Sequence, residues 1–358
     1  MNSINKAFSE KENKKSLILL LFAWLIFNLI QSAFTGLIHD EAYYWVYSKH
    51  LDWGYFDHPP GIAIFIKLGT LMFEGALGVR VLVAITSVAS LWLMWEITKN
   101  YTRDLKMFFL IAFSVILVHI GGFLAVPDTP LIFFAALFFY FYKKYLEQDN
   151  YLNTIILGVL CAAMLYSKYH GILIIFFTLL SNLKLLQRKS FWLMAILAFI
   201  LFLPHIYWQF INDFPSLKYH LSGRSKEAYD IEFTISYLLG QLMITGPIIG
   251  FFLFWACYKQ NTKDVYLRGL KFCFWGIMLF FFASSFKGRV EANWTAVAFL
   301  PMISLSAIYA SEHLKFYNII KKLAIPSIIL LFVFRVFLML DFIPAYFGFK
   351  TDVHNWDK

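Results

Sequence analysis

Charge is scarce in this chain. Only 15% of its 358 residues are Asp, Glu, Lys or Arg, well below the roughly one quarter typical of a soluble domain, and that shortage excludes a solvated globular fold. Cysteine is nearly absent too. Cys161, Cys257 and Cys273 lie in or beside apolar runs without metal-type spacing, which argues against a disulfide framework or a zinc site and leaves them as small core residues. Strands of alternating polarity are missing, so an outer-membrane barrel is excluded. No small-residue cleavage site follows the basic, apolar start MNSINKAFSEKENKKSLILLLFAWLIFNLI, whose apolar stretch outruns a signal-peptide h-region. A retained first span is expected, with residues 1–15 as a cytoplasmic tail.

What fills the space is hydrophobic: 60% of the residues are apolar and 20% of the whole chain is aromatic, with a mean hydropathy of +0.65. The apolar residues come in runs of about 20, the length of helix that crosses a hydrocarbon core of about 30 Å. An all-α integral membrane protein is predicted, with about eleven spans at 16–37, 79–98, 107–126, 130–147, 151–167, 170–186, 190–210, 233–258, 267–286, 293–311 and 322–343. Residues 16–343 form one transmembrane domain, 38–78 a first outer loop with interfacial helices, and 344–358 a short outer tail. GIAIFIKLGTLMF, Gly61 to Phe73, is too short to cross and carries Lys67, so it reads as an interfacial or re-entrant helix.

The formal net charge is +9, which in a soluble protein would suggest a nucleic-acid partner. Here topology accounts for it. With the N-terminus inside, the inner segments hold 19 of the 31 Lys and Arg residues, the bias that the positive-inside rule requires. The same assignment sends every unusual polar cluster to the outer face: HDEAYYW and DHPP in the first loop, VPDTP after the third span, SKYHG after the fifth, NDFPSLKYHLSGR after the seventh and KGRVEANW after the ninth. An active site on one face of a membrane would produce that asymmetry.

If DEAYYWVYSKH is helical, Asp40, Tyr43, Tyr44 and Tyr47 share one face at i, i+3, i+4 and i+7, a carboxylate above a phenol-lined wall suited to a sugar ring. Tyr and Trp also gather at membrane interfaces without any site, and one acid of the Asp40–Glu41 pair could serve only as a helix-start charge. In FDHPPG the two prolines forbid helix and hold Asp57 and His58 near the membrane plane. A carboxylate beside an imidazole can bind a metal, orient a proton carrier or, with the histidine charged, neutralise a phosphate; helix-start chemistry is the plain alternative. Asp128, between two prolines, reads on its own as an N-cap. Lys168 and His170, and then Lys287, Arg289 and Glu291, put cations at the outer leaflet, either paired with acids, snorkelling to headgroups or placed for a phosphate. Arg335 lies within the last apolar run, where it needs a lipid-phosphate groove, Asp341 or an acid on a neighbouring helix.

The order HDEAYYW, GYFDHPPG, VPDTPL, SKYHG, PHIYWQ, FPSLKYHLSGR, KGRVEANW resembles the protein O-mannosyltransferase-like branch of the GT-C membrane glycosyltransferases, which includes the lipid A aminoarabinose transferases. The likeness runs from about Leu17 to Pro301 and implies a GT-C-type helical bundle. It further implies transfer of a sugar, with inversion, from a polyprenyl-phosphate-linked donor to a lipid or glycan acceptor at the outer face of the bacterial cytoplasmic (inner) membrane, with membrane lipids as neighbours and no nucleic acid.

By that resemblance Asp40 is the general base, supported by Glu41, and Asp128 is a second functional acid. Lys168, Arg289 and Lys287 hold the donor phosphate. Tyr43, Tyr44, Asp57, Tyr169, His170, His220, Arg224 and Glu291 bind substrate, and the loop carrying Lys218, His220 and Arg224 resembles one that orders over the carrier. His58 departs from the pattern, since the aminoarabinose transferases have a phosphate-touching lysine there; it would help only when protonated. The large outer domain of longer relatives is expected to be missing, which favours a lipid or lipid-linked acceptor. The clustered acids leave room for a divalent metal ion without demanding one. The competing reading is a flippase for polyprenyl-linked sugars, though transporters usually place ionisable groups near the midplane.

Overall fold

The computed structural model describes residues 3–220 and 229–340, with side chains from Asn13 onward. Sixteen α-helices and two 3₁₀ turns follow one another, and no strand occurs among the described residues. Arg224, Asp341 and the tail from 344 lie outside the described residues.

The helices are α1 (Ser3–Phe34), α2 (His39–Lys49), α3 (Gly61–Thr70), α4 (Gly75–Thr98), α5 (Leu105–Phe113), α6 (Ile116–Ile120), α7 (Asp128–Glu147) and α8 (Tyr151–Ser167), then α9 (Gly171–Ser181), α10 (Lys189–Ile211), α11 (Pro215–Lys218), α12 (Ile231–Thr245), α13 (Gly250–Lys259), α14 (Val265–Ser284), α15 (Phe299–Glu312) and α16 (Leu314–Leu340). Six helical segments, Asn13–Phe34, Gly75–Thr98, Lys189–Ile211, Val265–Ser284, Ala292–Glu312 and Leu314–Leu340, have the length and composition of a membrane span. A seventh is the pair α12 and α13, bent by 95° at Gly246, whose φ of 133° suits glycine alone.

The other four of the eleven expected spans differ in form. The segment 107–126 is broken between α5 and α6; α7 carries Asp128, Lys143, Lys144 and Glu147; α8 and α9 are shorter than a straight crossing. α3 is short and apolar, as its sequence predicts.

The helix pairs approach closely where side chains are small, since little hydrophobic force separates helix from lipid. A Cβ on Gly158 of α8 would come within 2.9 Å of Leu197 on α10, and one on Gly276 of α14 within 2.3 Å of Phe177 on α9. α7 packs on both α4 and α8, with Ala135 and Ala136 fully buried in the main core.

Side-chain caps start several of these helices. At the end assigned to the inside, Asp104, Asn150 and Asp264 accept from Met107 N, Asn153 N and Leu267 N at 2.8 to 2.9 Å, starting α5, α8 and α14 in the ordinary way. At the other end Asp230 starts α12 in the same manner, accepting from Glu232 N at 2.8 Å, whereas Asp40, Glu41 and Asp128 are used differently, as described below. Arg335 is buried at 2% exposure. It donates to the amide oxygens of Gln31 and Asn28 on α1 and lies over the rings of Phe27, Phe123 and Trp24 at 4.5 to 5.1 Å, so it fastens α16 to α1 from inside the protein instead of facing lipid.

Candidate active site

The segment between α1 and α4 is built around one enclosed ion pair. Glu41 and Arg80 are both fully buried. Glu41 Oε1 accepts from Arg80 Nε at 2.7 Å and from Ala125 N at 2.9 Å, while Oε2 accepts from Arg80 Nη2 and from Ile38 N at 3.1 Å. The last bond is the reciprocal half of a capping box and starts α2. Arg80 also donates to Thr35 O and Gly36 O at 2.5 and 2.8 Å. One carboxylate and one guanidinium therefore tie together the end of α1, the start of α2, α4 and the segment leading into α7.

With α2 so fixed, its exposed face turns to a cavity of about 1060 Å³. Most residues that the sequence marks as site candidates line it; Glu41 is enclosed with Arg80, Tyr47 stands behind Tyr43 and Asp57, Lys218 pairs with Asp213 away from it, and Arg224 lies outside the described residues. Asp40 stands exposed at its edge. Tyr43 and Tyr47 place their hydroxyls 3.1 and 3.0 Å from Asp57 Oδ1 and against each other. Asp57 Oδ2 lies 3.7 Å from His58 Nε2, and His220 Nε2 meets Asp57 O at 2.9 Å. Burial, reinforced by the neighbouring carboxylates, raises the Tyr44 hydroxyl well above its ordinary value, and burial raises Tyr43 as well. Both stay protonated and can donate at neutral pH.

Asp128 is not an N-cap. The cap position of α7 is Pro127, whose ring offers no hydrogen-bond acceptor, and Asp128 is the first helical residue. Its two oxygens both sit 2.8 Å from Lys168 Nζ, and Asn293 Nδ2 donates to Oδ2 at 3.0 Å. Lys168 ends α8 in an extended conformation and is 5% exposed. Its charge is already balanced before any ligand arrives. Arg289 differs: its side chain is 73% exposed at the cavity rim, with Glu291 at 3.4 Å, and Lys287 beside it is exposed too. His170 packs on Phe281 and Trp294 at ring distances of 4.9 and 5.7 Å.

A second tier lies at the C-terminal end of α10. Trp208 Nε1 donates to Asp52 Oδ2 at 2.7 Å, and its ring lies so close to Gly54 that a Cβ there would approach within 2.5 Å. Asp213 and Phe214 take φ values of 61° and 54°, a costly turn for residues with a Cβ, and this turn brings Ser216 Oγ within 2.7 Å of Tyr55 O. Tyr169 OH lies 3.0 Å from His205 Nε2 and accepts from Gln209 Nε2 at 3.0 Å; burial pushes its hydroxyl up to about 12.

Sequence reading missed Arg80, His205, Gln209 and Asn293. A usable signal existed for His205 and Gln209: an i, i+4 polar pair inside an apolar span is itself a reason to look. Among the described residues, no group of three or more His, Cys, Asp or Glu side chains converges as a metal set.

Residues 57–208 match the dolichyl-phosphate-mannose-protein mannosyltransferase family. The lipid A galacturonosyltransferase RgtD of Rhizobium johnstonii is 21% identical over 301 residues, 80% of this chain and 63% of that protein. Crystal structures of ArnT from Cupriavidus metallidurans superpose with TM-scores of 0.65 (apo) and 0.64 (bound to undecaprenyl phosphate), at 13% and 14% identity, covering 84% and 83% of this chain and 60% of theirs. The chain thus spans less than two thirds of the length of these relatives. The superposition shows that the chain carries the ArnT fold, of the GT-C type.

Proposed function

We propose that the protein transfers a sugar from a polyprenyl-phosphate carrier to a hydroxyl or phosphate of a lipid or lipid-linked glycan, at the outer face of a bacterial inner membrane. The observation that carries this reading is the single cavity edge where the exposed carboxylate of Asp40 opens onto the same space as Lys168, Lys287 and Arg289. The names of the relatives support it: RgtD is a lipid A galacturonosyltransferase, and one ArnT structure holds undecaprenyl phosphate.

In the proposed step Asp40 takes the proton of the acceptor O–H. That oxygen attacks the anomeric carbon from the face opposite the leaving group, the bond from the anomeric carbon to the phosphate oxygen breaks, and its electron pair leaves with the polyprenyl phosphate. Arg289 and Lys287 bear on the departing charge, while Lys168 does so only by sharing its ammonium with Asp128. His58 adds to the clamp when it is protonated.

The test uses the purified chain in lipid nanodiscs with radiolabelled polyprenyl-phosphate sugars and a cell-envelope lipid extract. Asp40-dependent appearance of labelled glycolipid is expected. Movement of intact donor across the bilayer without cleavage would give the site to a flippase instead.

A further inference from the structure

The C-terminal end of α10 holds a hydrogen-bond chain whose protons can all be placed. His205 Nδ1 lies 2.6 Å from Trp53 O, a carbonyl that can only accept, so a neutral imidazole carries its proton on Nδ1 and offers Nε2 as an acceptor. The Tyr169 hydroxyl then donates to His205 Nε2 at 3.0 Å. Ser216 donates to Tyr55 O at 2.7 Å. Both oxygens have now given their protons away, and each receives one from Gln209 Nε2, at 3.0 Å for Tyr169 and 2.7 Å for Ser216. Turning the Gln209 amide over would set its carbonyl oxygen against two oxygens with no proton left to give. The network therefore dictates the orientation of that amide.

One atom is left over. Gln209 Oε1 is buried with no hydrogen-bond partner among the described residues, although Gln209 is 93% buried in total, at 7% exposure, and lines the cavity. Buried carbonyl oxygens are rarely left this way, because the lost hydration is not returned. The remaining lone pair of Tyr169 is likewise an acceptor. This wall accepts protons and donates none, so it fits a hydroxyl or an N–H and turns away a carboxylate or a phosphate.

Resting on the transferase reading above, we infer that Gln209 is a specificity-determining residue that reads one hydroxyl or amino group of the donor's sugar, held in register by His205, Tyr169 and Ser216. The phosphate end of the donor is directed by the same logic to the cationic rim at Lys287 and Arg289.

The experiment measures transfer by the full chain in nanodiscs from undecaprenyl-phosphate-linked hexoses, pentoses and uronic acids, then from every mono-deoxy analogue of the best donor, in wild type and Gln209→Met. Sites built around a hydroxyl reject its deoxy analogue strongly. Wild type should lose on the order of 10²-fold or more in kcat/KM on one analogue. Gln209→Met should lose a similar factor on the parent sugar and little further on that analogue. Equal losses for wild type and variant on every analogue would make Gln209 a packing residue and overturn the inference. So would a wild type that treats all mono-deoxy donors alike, a result that needs no variant to fold. A wild type that cleaves no donor at all removes the transferase reading itself, and the inference with it.

Discussion

Asp40 and Glu41 leave the first turn of α2 in different directions, one exposed at the cavity and the other sealed against Arg80. Neighbouring helical residues point about 100° apart, so adjacent acids do not face the same pocket. Asp40→Asn should fold and melt normally while turnover falls about 10²- to 10⁴-fold, the worth of a positioned base. Glu41→Gln should act through the fold: stranding a buried guanidinium costs about 3–5 kcal/mol, visible as a lowered Tm in detergent. A Glu41→Gln protein with normal Tm and no turnover would bring Glu41 into the chemistry.

Lys168 and Asp128 form a second buried pair, bidentate at 2.8 Å on both oxygens. Removing either charge leaves the other buried with Asn293 or less, a loss of about 3–5 kcal/mol. The double variant Asp128→Asn with Lys168→Met removes both charges together and should regain much of the Tm while transfer stays low. Wild-type transfer by the double variant would assign the pair to stability alone.

Much of this was legible in the residues. The 20-residue apolar runs made the long helices plain, and the one-sided gathering of DE, DHPP, PDTP and KGR made the cavity rim plain, because both follow from local pattern. The short and broken segments were not. Gly246 stands directly before Pro247, a local breaker, but the break at Ser114 lies where two chain segments meet, a Cβ at Gly246 falling 2.8 Å from Ser114 O, and no local pattern announces such a meeting. The division of labour between Asp40 and Glu41 likewise required Arg80, 39 residues further along. The capping role offered for Asp128 was sound local chemistry that a distant lysine overrode.

Arg289 separates binding from folding. Its side chain is 73% exposed and Glu291, with which it pairs, is also at the rim; surface pairs of this kind contribute about 0–1 kcal/mol. Arg289→Ala should therefore melt as wild type does and lose about 10²- to 10³-fold in turnover, the cost of one aimed charge-stabilising group. Donor titration checks the step affected. If the loss is recovered fully at saturating donor, Arg289 binds the ground state and does not act on the departing phosphate.

The Tyr169 hydroxyl gives the alkaline limb. Burial raises it from the ordinary 10 to about 12 in the folded protein, so on raising the pH the unfolded chain ionises first. Between those two values the unfolded state holds fewer protons than the folded one, and stability falls as pH rises. Below about pH 10 the contribution is complete. The Tm of wild type should accordingly drop, relative to Tyr169→Phe, as pH is taken from about 9 to about 11, because only wild type carries the titrating hydroxyl at this position. A Tm difference that stays constant across the window would mean that the hydroxyl is hydrated in the folded protein, and the proton assignment that runs from Trp53 through His205 and Tyr169 to Gln209 would lose its middle link.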